Sequence, residues 1–303
     1  MDVGTPTEDD IAAALAGVGI CDRPLRTLER DGRAAVFLPG DRIAWFPRDE
    51  DGRASMTRER RVLRLVETYC RFLAPRVIHE DVEGWDVRSM VPGDSRAFEI
   101  YEQAQSDLAL ARRIGEALGR MLADQHINVP PTELQGWLPA MPNWPRAEDL
   151  PNLPRVVDDR ALLARIDEAL SQREAIVREP GARVLTHGDL GFHNIAFHPA
   201  TLAVVGVFDY DGAAFADRHF DFKNMSLHCP DGSEPLLEAA ASTYEQLSGF
   251  AIDRDRVRLL NAIEAIGFLG FRYGHPPEEE WCGRTLARDL DWADKALKAA
   301  GID

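Results

Sequence analysis

The amino-acid sequence predicts an α+β fold in which a small β-rich N-terminal part precedes a larger, mainly helical part. Two observations support this prediction. Short apolar runs separated by turn residues occupy the first ninety residues, and long stretches with apolar residues at helical spacing dominate the chain after Pro92-Gly93-Asp94. We therefore expect two domains, residues 1–91 and residues 92–303.

The N-terminal part carries the signals of a small sheet and one main helix. The apolar runs Ala34–Leu38 and Arg42–Phe46 flank Pro39-Gly40-Asp41, which predicts two strands joined by a tight turn. Residues 55–73 place apolar side chains at helical spacing and predict the main helix. The other expected elements are a helix over residues 8–18, capped by Thr7, and strands over residues 75–80 and 85–91.

The C-terminal part is helical with one β-type interruption. Its predicted helices span residues 97–128, 158–178, 234–247, 253–273 and 280–299. The interruption covers residues 182–209, where two apolar runs flank the turn signal His198-Pro199-Ala200-Thr201. The polar residues that are candidates for chemistry lie in this strand–turn–strand segment.

Composition limits the possible partners. The formal net charge of the 303 residues is −16, which disfavours nucleic acids and anionic membranes and suits either a cationic small substrate or solubility alone. No window approaches the roughly 20 apolar residues of a membrane-spanning helix. The N-terminus carries acids where a signal peptide would be basic, so we expect a cytoplasmic protein. The four cysteines are widely spaced, which favours reduced thiols over a zinc site or disulfides.

The interruption contains the residues expected to carry chemistry. His187-Gly188-Asp189 is followed by Asn194, the spacing of a kinase catalytic loop, and Asp209 ends the next apolar run. Phosphoryl transfer needs an acceptor hydroxyl whose proton is accepted and divalent metal that neutralises phosphate charge. Asp189 is the candidate catalytic carboxylate. The oxygens of Asn194 and Asp209 are candidate ligands for Mg²⁺, which prefers hard oxygen donors.

This segment resembles the aminoglycoside phosphotransferase family, whose relatives include choline kinases. The family motif H-G-D-x-x-x-x-N matches His187, Gly188, Asp189 and Asn194, and the downstream metal-binding aspartate matches Asp209. The resemblance implies a two-lobed, protein-kinase-like fold. It also implies transfer of the γ-phosphate of ATP or GTP, with Mg²⁺, to a hydroxyl of a small-molecule acceptor.

The resemblance extends to residues around the motif. Asp217 and Asp221 align with acids that support the loop in relatives, or else serve as a cap and a surface ion pair. His126 takes the place of a histidine that ends a family helix, or else it is a helix-terminal histidine favoured by the macrodipole. Asp211 either contacts metal or caps the next turn, and we favour the cap.

The N-terminal part is expected to bind the nucleotide. Glu59 sits where the family places the helix glutamate that pairs with a phosphate-binding lysine. By the same resemblance, backbone groups of Ser89, Met90 and Val91 would meet the adenine edge. Residues 29–33 would form the nucleotide loop, although they contain a single glycine.

The strand lysine of the family is missing. Its slot holds Trp45, and the chain has lysine only at positions 223, 295 and 298. Lysine normally holds the phosphates as a point charge. Three interpretations are open. Either Arg48 or Arg42 takes over this role in an active enzyme, or the lysine slot is misaligned and Arg42 lies on the functional face, or the protein is a catalytically impaired nucleotide-binding pseudokinase or regulatory protein.

The acceptor is the least specified partner. When the acceptor is cationic, relatives line its cleft with acids, and the corresponding candidates here are Glu278–Glu280, Asp289 and Asp291, with Trp281 and Trp292 nearby. An aminoglycoside-like or amino-alcohol compound fits this pattern. A charged run is more often a solvated face, and the fold alone does not select a substrate, so choline-like amines, sugars and other antibiotics stay open as acceptors.

Overall fold

The computed structural model describes residues 7–21, 26–30, 32–142, 144–178, 181–226, 229, 232–281 and 283–303. Its backbone packs into two compact units. The first unit comprises Met1–Ser95 with Asn194–Asp211, and the second comprises Arg96–His193 with Gly212–Asp303. The predicted division into residues 1–91 and 92–303 stays a prediction about domains, and the packing additionally brings 194–211 into the first unit.

The first unit is built on a five-stranded antiparallel sheet in the order β1-β2-β3-β5-β4. Its strands are β1 (Arg26–Arg30), β2 (Arg33–Leu38), β3 (Arg42–Pro47), β4 (Val77–Glu80) and β5 (Asp86–Ser89). The predicted turn at Pro39–Asp41 is confirmed, since β2 pairs with β3 from Leu38↔Arg42 onward. Strand β1 was not predicted, because every residue of RTLER is exposed and no apolar alternation marks it.

The two faces of this sheet have different chemistry, because alternate side chains of a strand point to opposite faces. One face carries an apolar core with helix α1 (Glu8–Gly17), which includes Ile11, Val36 and Phe46. The other face carries charged residues and packs against α2 (Glu50–Tyr69). Helix α2 starts five residues earlier than predicted, because Asp49 caps it by accepting the Gly52 N–H at 2.7 Å.

A separate hairpin completes the first unit. Strands β7 (Ile195–Phe197) and β8 (Val204–Val207) pair antiparallel around the predicted turn, where the His198 N–H donates to the Ala203 carbonyl at 2.8 Å. The hairpin is tied to the rest of the unit by the bridges Leu73↔Gly206 and Asp94↔Phe197. The residues that precede β7 and follow β8 therefore have fixed positions within this unit.

The second unit is mainly helical. Its longer helices are α3 (Ala97–Ser106), α4 (Leu108–Asn128), α6 (Arg160–Arg178), α7 (Pro235–Ser248), α8 (Arg254–Phe271) and α9 (Leu286–Ala299), with the short α5 (Leu153–Val156). The predicted helix over 97–128 is two helices, because Asp107 interrupts it and caps α4 through the N–H groups of Ala109 and Leu110. Helix α9 begins at Leu286, later than the predicted residue 280.

Helix α8 lies at the centre of the second unit. Its buried residues, with those of α6 and α9, form one continuous apolar core that includes Ile166, Ile263 and Leu297. A two-stranded sheet of β6 (Arg183–Thr186) and β9 (Ala214–Asp217) packs beside a 3₁₀ segment, Arg218–Met225. Strand β9 was not predicted. No helix in the described ranges is both long enough and apolar enough to cross a membrane.

Candidate active site

The loop that carries Asp189 follows β6 in the second unit, and its glycine is required by geometry. Gly188 has φ = +84°, a left-handed conformation that favours glycine. A Cβ atom at Gly188 would lie 2.1 Å from the carbonyl oxygen of Gly212. The glycine of the H-G-D motif is therefore needed for a tight turn that places Asp189.

A buried carboxylate holds this loop from behind. Asp221 accepts the backbone N–H of His187 and of Gly188, both at 3.0 Å, and its Oδ2 lies 3.0 Å from His126 Nε2. His126 Nδ1 lies 3.2 Å from the hydroxyl of Tyr244. Asp221 is buried and holds the loop, so it is not a surface ion pair; His126, buried in the last turn of α4, contacts this carboxylate.

Asp217 holds a neighbouring position at the end of β9. Its carboxylate accepts the N–H of His219 at 3.1 Å and of Gly181 at 3.0 Å, and it forms an ion pair with Arg256. Burial raises the pKa of Asp217, but the hydrogen bonds and charge of His219, with the backbone amides, outweigh burial and leave the pKa well below its usual value. Asp217 thus caps the 3₁₀ segment that presents Asp221.

The Asp189 carboxylate is 44% exposed and hydrogen-bonded. Its Oδ2 lies 3.0 Å from His193 Nε2. Burial raises the pKa of Asp189, but the hydrogen bond and charge of His193, followed by the charges of Lys223 and His187, lower it overall. Asp189 is therefore a carboxylate at neutral pH, which a group that accepts a proton requires.

Two buried residues behind Asp189 were not predicted from the sequence. Lys223 Nζ donates to the Gly188 carbonyl at 2.9 Å and forms an ion pair with Glu264 Oε2 at 2.9 Å. Burial lowers the pKa of Lys223, but Glu264 and then Asp189 raise it overall. The sequence feature that could have indicated Lys223 is its rarity, since it is the first lysine of the chain and stands two residues after Asp221.

A cavity of about 380 Å³ opens beside this loop in the second unit. Gly191, Phe192 and His193 form one wall, and Glu264 forms part of another. Its other lining residues include Phe98, Tyr101, Glu102, Asn224, Ser226, Asn261, Phe268, Arg284, Arg288, Asp291, Trp292 and Lys295. Aromatic rings, acidic side chains and basic side chains thus line a space suited to a polar small molecule.

The acidic residues predicted to line an acceptor cleft are distributed differently. Asp291 and Trp292 line the cavity, with Asp291 paired to Lys295 at 2.7 Å. Asp289 is fully buried, and its carboxylate is held by Arg272 at 2.7 Å and Arg284 at 2.6 Å. The run Glu278–Glu280 and Trp281 are not among the residues that line the cavity.

The candidate metal ligands lie in the first unit, at the open end of the β7–β8 hairpin. Asn194 precedes β7 and Asp209 follows β8, and the Phe208 N–H donates to the Asn194 carbonyl at 3.0 Å. Asn194 is buried, whereas the Asp209 side chain is 45% exposed. Asp209 adopts φ = +68°, an uncommon conformation for a residue other than glycine that often marks functional positions.

This donor set fits Mg²⁺ chemically. An amide oxygen and a carboxylate are hard ligands, and Mg²⁺ commonly takes its remaining ligands from phosphates and water. Within the described residues, no group of three or more His, Cys, Asp and Glu side chains could hold a metal alone. A metal at Asn194 and Asp209 would take its other ligands from water and phosphates.

Glu59 on α2 is the centre of a buried charge cluster in the first unit. Its Oε2 lies 2.9 Å from Arg33 Nη1 and 2.7 Å from Arg88 Nη1, and its Oε1 accepts the Tyr210 N–H at 3.2 Å. Burial raises the pKa of Glu59, but Arg88 and Arg33 lower it overall. Sequence reasoning did not identify Arg33, whose second amino group is ion-paired with Asp211 and lies 3.6 Å from Asp209.

The two arginines predicted to replace the missing lysine contact other groups of the first unit. Arg48 forms an ion pair with Glu29 at 2.9 Å, and Arg42 Nε donates to the Pro39 carbonyl at 2.9 Å. The Glu29–Arg33 loop includes Asp31, which lies outside the described residues.

The segment predicted to meet the adenine edge begins at Ser89, the last residue of β5, and continues through Met90 and Val91. The Ser89 N–H donates to the Arg76 carbonyl at 2.9 Å, and the Met90 N–H donates to the Asp41 carbonyl at 2.7 Å. These two donors are used inside the first unit. A contact of this segment with an adenine edge therefore rests on carbonyl groups and on Val91.

Comparison with known proteins identifies similar chains. The streptomycin 3''-kinase of Streptomyces griseus is 34% identical over 113 residues, which are 37% of this chain and 41% of that protein. The matched part is thus less than half the length of this curated relative. The ADP-bound aminoglycoside phosphotransferase APH(2'')-Ib has 15% identity and a TM-score of 0.62, covering 97% of this chain and 99% of that chain.

A second solved structure, the GDP and kanamycin complex of APH(2'')-IIIa, has 18% identity and a TM-score of 0.61, covering 96% of this chain and 95% of that chain. At these identities the structures establish the fold, and they confirm the predicted α+β, two-lobed, protein-kinase-like class. The model of the phosphotransferase enzyme family (APH) matches residues 10–260, which include Asp189, Asn194 and Asp209. The resemblance predicted from the motif is confirmed, and the chain belongs to the phosphotransferase enzyme family.

Proposed function

We propose that the protein is a small-molecule O-phosphotransferase that transfers the γ-phosphate of ATP or GTP to a hydroxyl of an aminoglycoside-like acceptor. The observation that carries the proposal is Asp189: an ionised, half-exposed carboxylate on a braced loop beside a polar cavity. Membership of the phosphotransferase enzyme family supports the same reaction class.

In this proposal Asp189 orients the acceptor and takes its proton. The acceptor hydroxyl donates a hydrogen bond to the carboxylate, and its oxygen attacks the γ-phosphorus. A new O–P bond forms, the bond between the γ-phosphorus and the β–γ bridging oxygen breaks, and the hydroxyl proton passes to Asp189. A positioned carboxylate of this kind contributes about 10²- to 10⁴-fold to the rate.

Asn194 and Asp209 are assigned to Mg²⁺. When bound, the ion neutralises phosphate charge on the nucleotide. The hairpin contact between Phe208 and Asn194 supports this assignment, because it holds the two candidate ligands at one end of the same two-stranded element.

For the donor, the proposal keeps both purine nucleotides. APH(2'')-Ib is described with ADP and APH(2'')-IIIa with GDP, so the fold accommodates either base. Ser89, Met90 and Val91 are assigned to the purine edge through carbonyl groups and the Val91 backbone. A cytoplasmic location is part of the proposal, because ATP and GTP are available there.

For the acceptor, the cavity of the second unit favours a hydroxylated amine over a simple polycation. Its acids are largely balanced: Glu264 by Lys223 and Asp291 by Lys295. Trp292 and Tyr101 offer apolar ring surface beside these polar groups. The streptomycin 3''-kinase relative and the kanamycin complex support aminoglycosides as the first acceptor class to test.

The pseudokinase alternative rested on the missing lysine alone. No other observation favours it, since Asp189, Asn194 and Asp209 are all present. A turnover assay that depends on Asp189 separates the two functions directly.

The test measures nucleoside diphosphate release by purified protein with ATP or GTP, Mg²⁺ and, in turn, streptomycin, kanamycin and choline. We expect acceptor-dependent turnover with an aminoglycoside and a loss of about 10²- to 10⁴-fold in kcat for Asp189→Asn. Mg²⁺–nucleotide binding should persist in that variant. Asp167→Asn, an exposed acid on α6, is the matched control and should retain full turnover.

Two results would contradict the proposal. Full turnover by Asp189→Asn would remove the catalytic assignment. Nucleotide binding without turnover on any hydroxylated amine in the panel would favour the pseudokinase.

A further inference from the structure

We propose that Arg33 is the cation that binds the phosphates of the nucleotide, from a neighbouring strand, in a chain with Trp45 where a lysine is expected. This inference rests on the proposed function and concerns the donor site in the first unit. It is carried by the contacts of Arg33 with Glu59, Asp209 and Asp211.

Strand register places Arg33 on the correct face of the sheet. Residues directly opposite in adjacent antiparallel strands share a face, and alternate residues of one strand alternate faces. Ala35 is opposite Trp45, so Arg33 and Trp45 are on the same face, towards Glu59 on α2. Arg42 is three residues from Trp45 and is therefore on the other face.

The two ends of the Arg33 guanidinium have different surroundings. Nη1 is fixed by buried Glu59, whereas Nη2 is directed at Asp209 and Asp211, whose side chains are 45% and 41% exposed. A buried cation therefore presents one amino group to the acids that follow β8, where Asp209 is assigned to the metal. A guanidinium suits this task because it stays protonated and carries five N–H donors, so that Glu59 can hold one amino group while the other is directed at a phosphate.

The other arginines near Glu59 are already engaged. Arg88 lies between Glu59 and Asp86, with contacts of 2.7 Å to each, and faces no exposed acid among its described partners. Arg48 is paired with Glu29. Among these cations, Arg33 alone joins the helix glutamate to the exposed acids in the contacts that the structure describes.

Trp45 explains why the strand position itself need not be cationic. The Arg33 guanidinium carbon lies 5.0 Å from the centroid of the Trp45 ring, within the range of a cation–π contact. The ring supports the arginine that reaches across from β2. A lysine at position 45 would place a second cation beside Arg33 and remove this support.

The experiment measures dissociation constants of Mg²⁺–ATP and Mg²⁺–GTP by calorimetry, which does not depend on turnover. We expect Arg33→Met to bind at least tenfold more weakly than the unmodified protein. Arg33→Lys should bind roughly threefold to tenfold more weakly, because it keeps the charge but cannot contact Glu59 and a phosphate through two separate amino groups. Arg58→Gln, an exposed arginine on α2, is the matched control and should bind within twofold.

A double variant guards against a purely structural effect of Arg33→Met. Arg33→Met with Trp45→Lys returns a lysine to the adjacent strand on the same face, and we expect it to recover most of the lost affinity. Circular dichroism and thermal melting establish that each variant is folded. Recovery of affinity is not expected if Arg33 only stabilises the sheet.

Three outcomes would overturn the inference. Binding by both Arg33 variants within twofold of the unmodified protein would exclude Arg33 from the phosphates. A larger loss for Arg48→Gln than for Arg33→Met would assign the role to Arg48, and no recovery in the folded double variant would make Arg33 structural. The proposed function fails separately, when the unmodified protein binds neither nucleotide.

Discussion

Asp221, the buried carboxylate that accepts hydrogen bonds from the candidate catalytic loop, allows a quantitative prediction of stability. Asp221→Ala removes the acceptor for the N–H groups of His187 and Gly188 and the partner of His126. Hydrogen bonds to a charged group contribute about 1.5 to 3 kcal/mol each, and breaking a buried charged network by removing one partner costs about 3 to 5 kcal/mol. We expect the variant to lose about 3 to 5 kcal/mol of unfolding free energy.

Asp221→Asn separates shape from charge. The amide fills nearly the same volume, but its NH₂ group cannot accept the second backbone N–H. We expect a loss of about 2 kcal/mol, together with a lower kcat because the Asp189 loop is no longer held by two acceptors. Urea unfolding followed by circular dichroism measures the first effect and the turnover assay measures the second.

The exposed acid Asp167 provides the comparison for both substitutions. Surface substitutions usually change stability by less than about 0.5 kcal/mol, so Asp167→Ala should unfold close to the unmodified protein. If Asp221→Ala cost less than about 1 kcal/mol, the two backbone hydrogen bonds would not hold the loop. The reasoning from the buried carboxylate would then be refuted.

Three further predictions concern neighbouring positions. Because the folded-state pKa of Asp217 is lowered, its contribution to stability is present above about pH 4 and is lost as the pH falls further. The difference in urea midpoint between the unmodified protein and Asp217→Asn should therefore be larger at pH 7 than at pH 3.5, and an equal difference would contradict the prediction. Gly188→Ala should lose activity and at least about 2 kcal/mol of stability, measured by urea unfolding, because its Cβ would overlap the Gly212 carbonyl. In calorimetry, Asp209→Asn should weaken Mg²⁺–nucleotide binding at least tenfold while Asp211→Asn stays within threefold; equal losses would make Asp211 a metal ligand.

Much of the architecture was predictable from local sequence signals. The turn at Pro39–Asp41, the hairpin around residues 198–201 and the helical second part all follow from turn residues and apolar spacing over a few positions. The spacing of Asp189, Asn194 and Asp209 identified the family for the same reason. The interruption of the predicted helix at Asp107 could also be predicted from the sequence, since aspartate is a preferred N-cap residue.

The charge partners were not predictable, because they join residues far apart in the chain. The Arg33–Asp211 contact spans 178 positions, and register determines that Arg33 faces Glu59 while Arg42 does not. Arg48 and Arg42 lie close to the lysine slot in sequence, but closeness in sequence does not determine which face of the sheet a side chain occupies. Strand alternation alone predicts that Arg42 lies on the opposite face from Trp45, since the two are an odd number of residues apart.

Each unit holds a buried cation near a candidate functional acid and pairs that cation with a buried glutamate. In the first, Arg33 is neutralised by buried Glu59 and lies 3.6 Å from Asp209. In the second, Lys223 is neutralised by buried Glu264 and donates to the carbonyl of Gly188, beside Asp189. Burying a lone cation would be costly, whereas a cation paired with a buried glutamate can be held rigidly beside an acid that must stay ionised. Each glutamate therefore acts by holding its cation, and Glu264 also lines the cavity of the second unit. Replacing either with glutamine should alter the acid of its own unit: Mg²⁺–nucleotide affinity for Glu59, and kcat for Glu264.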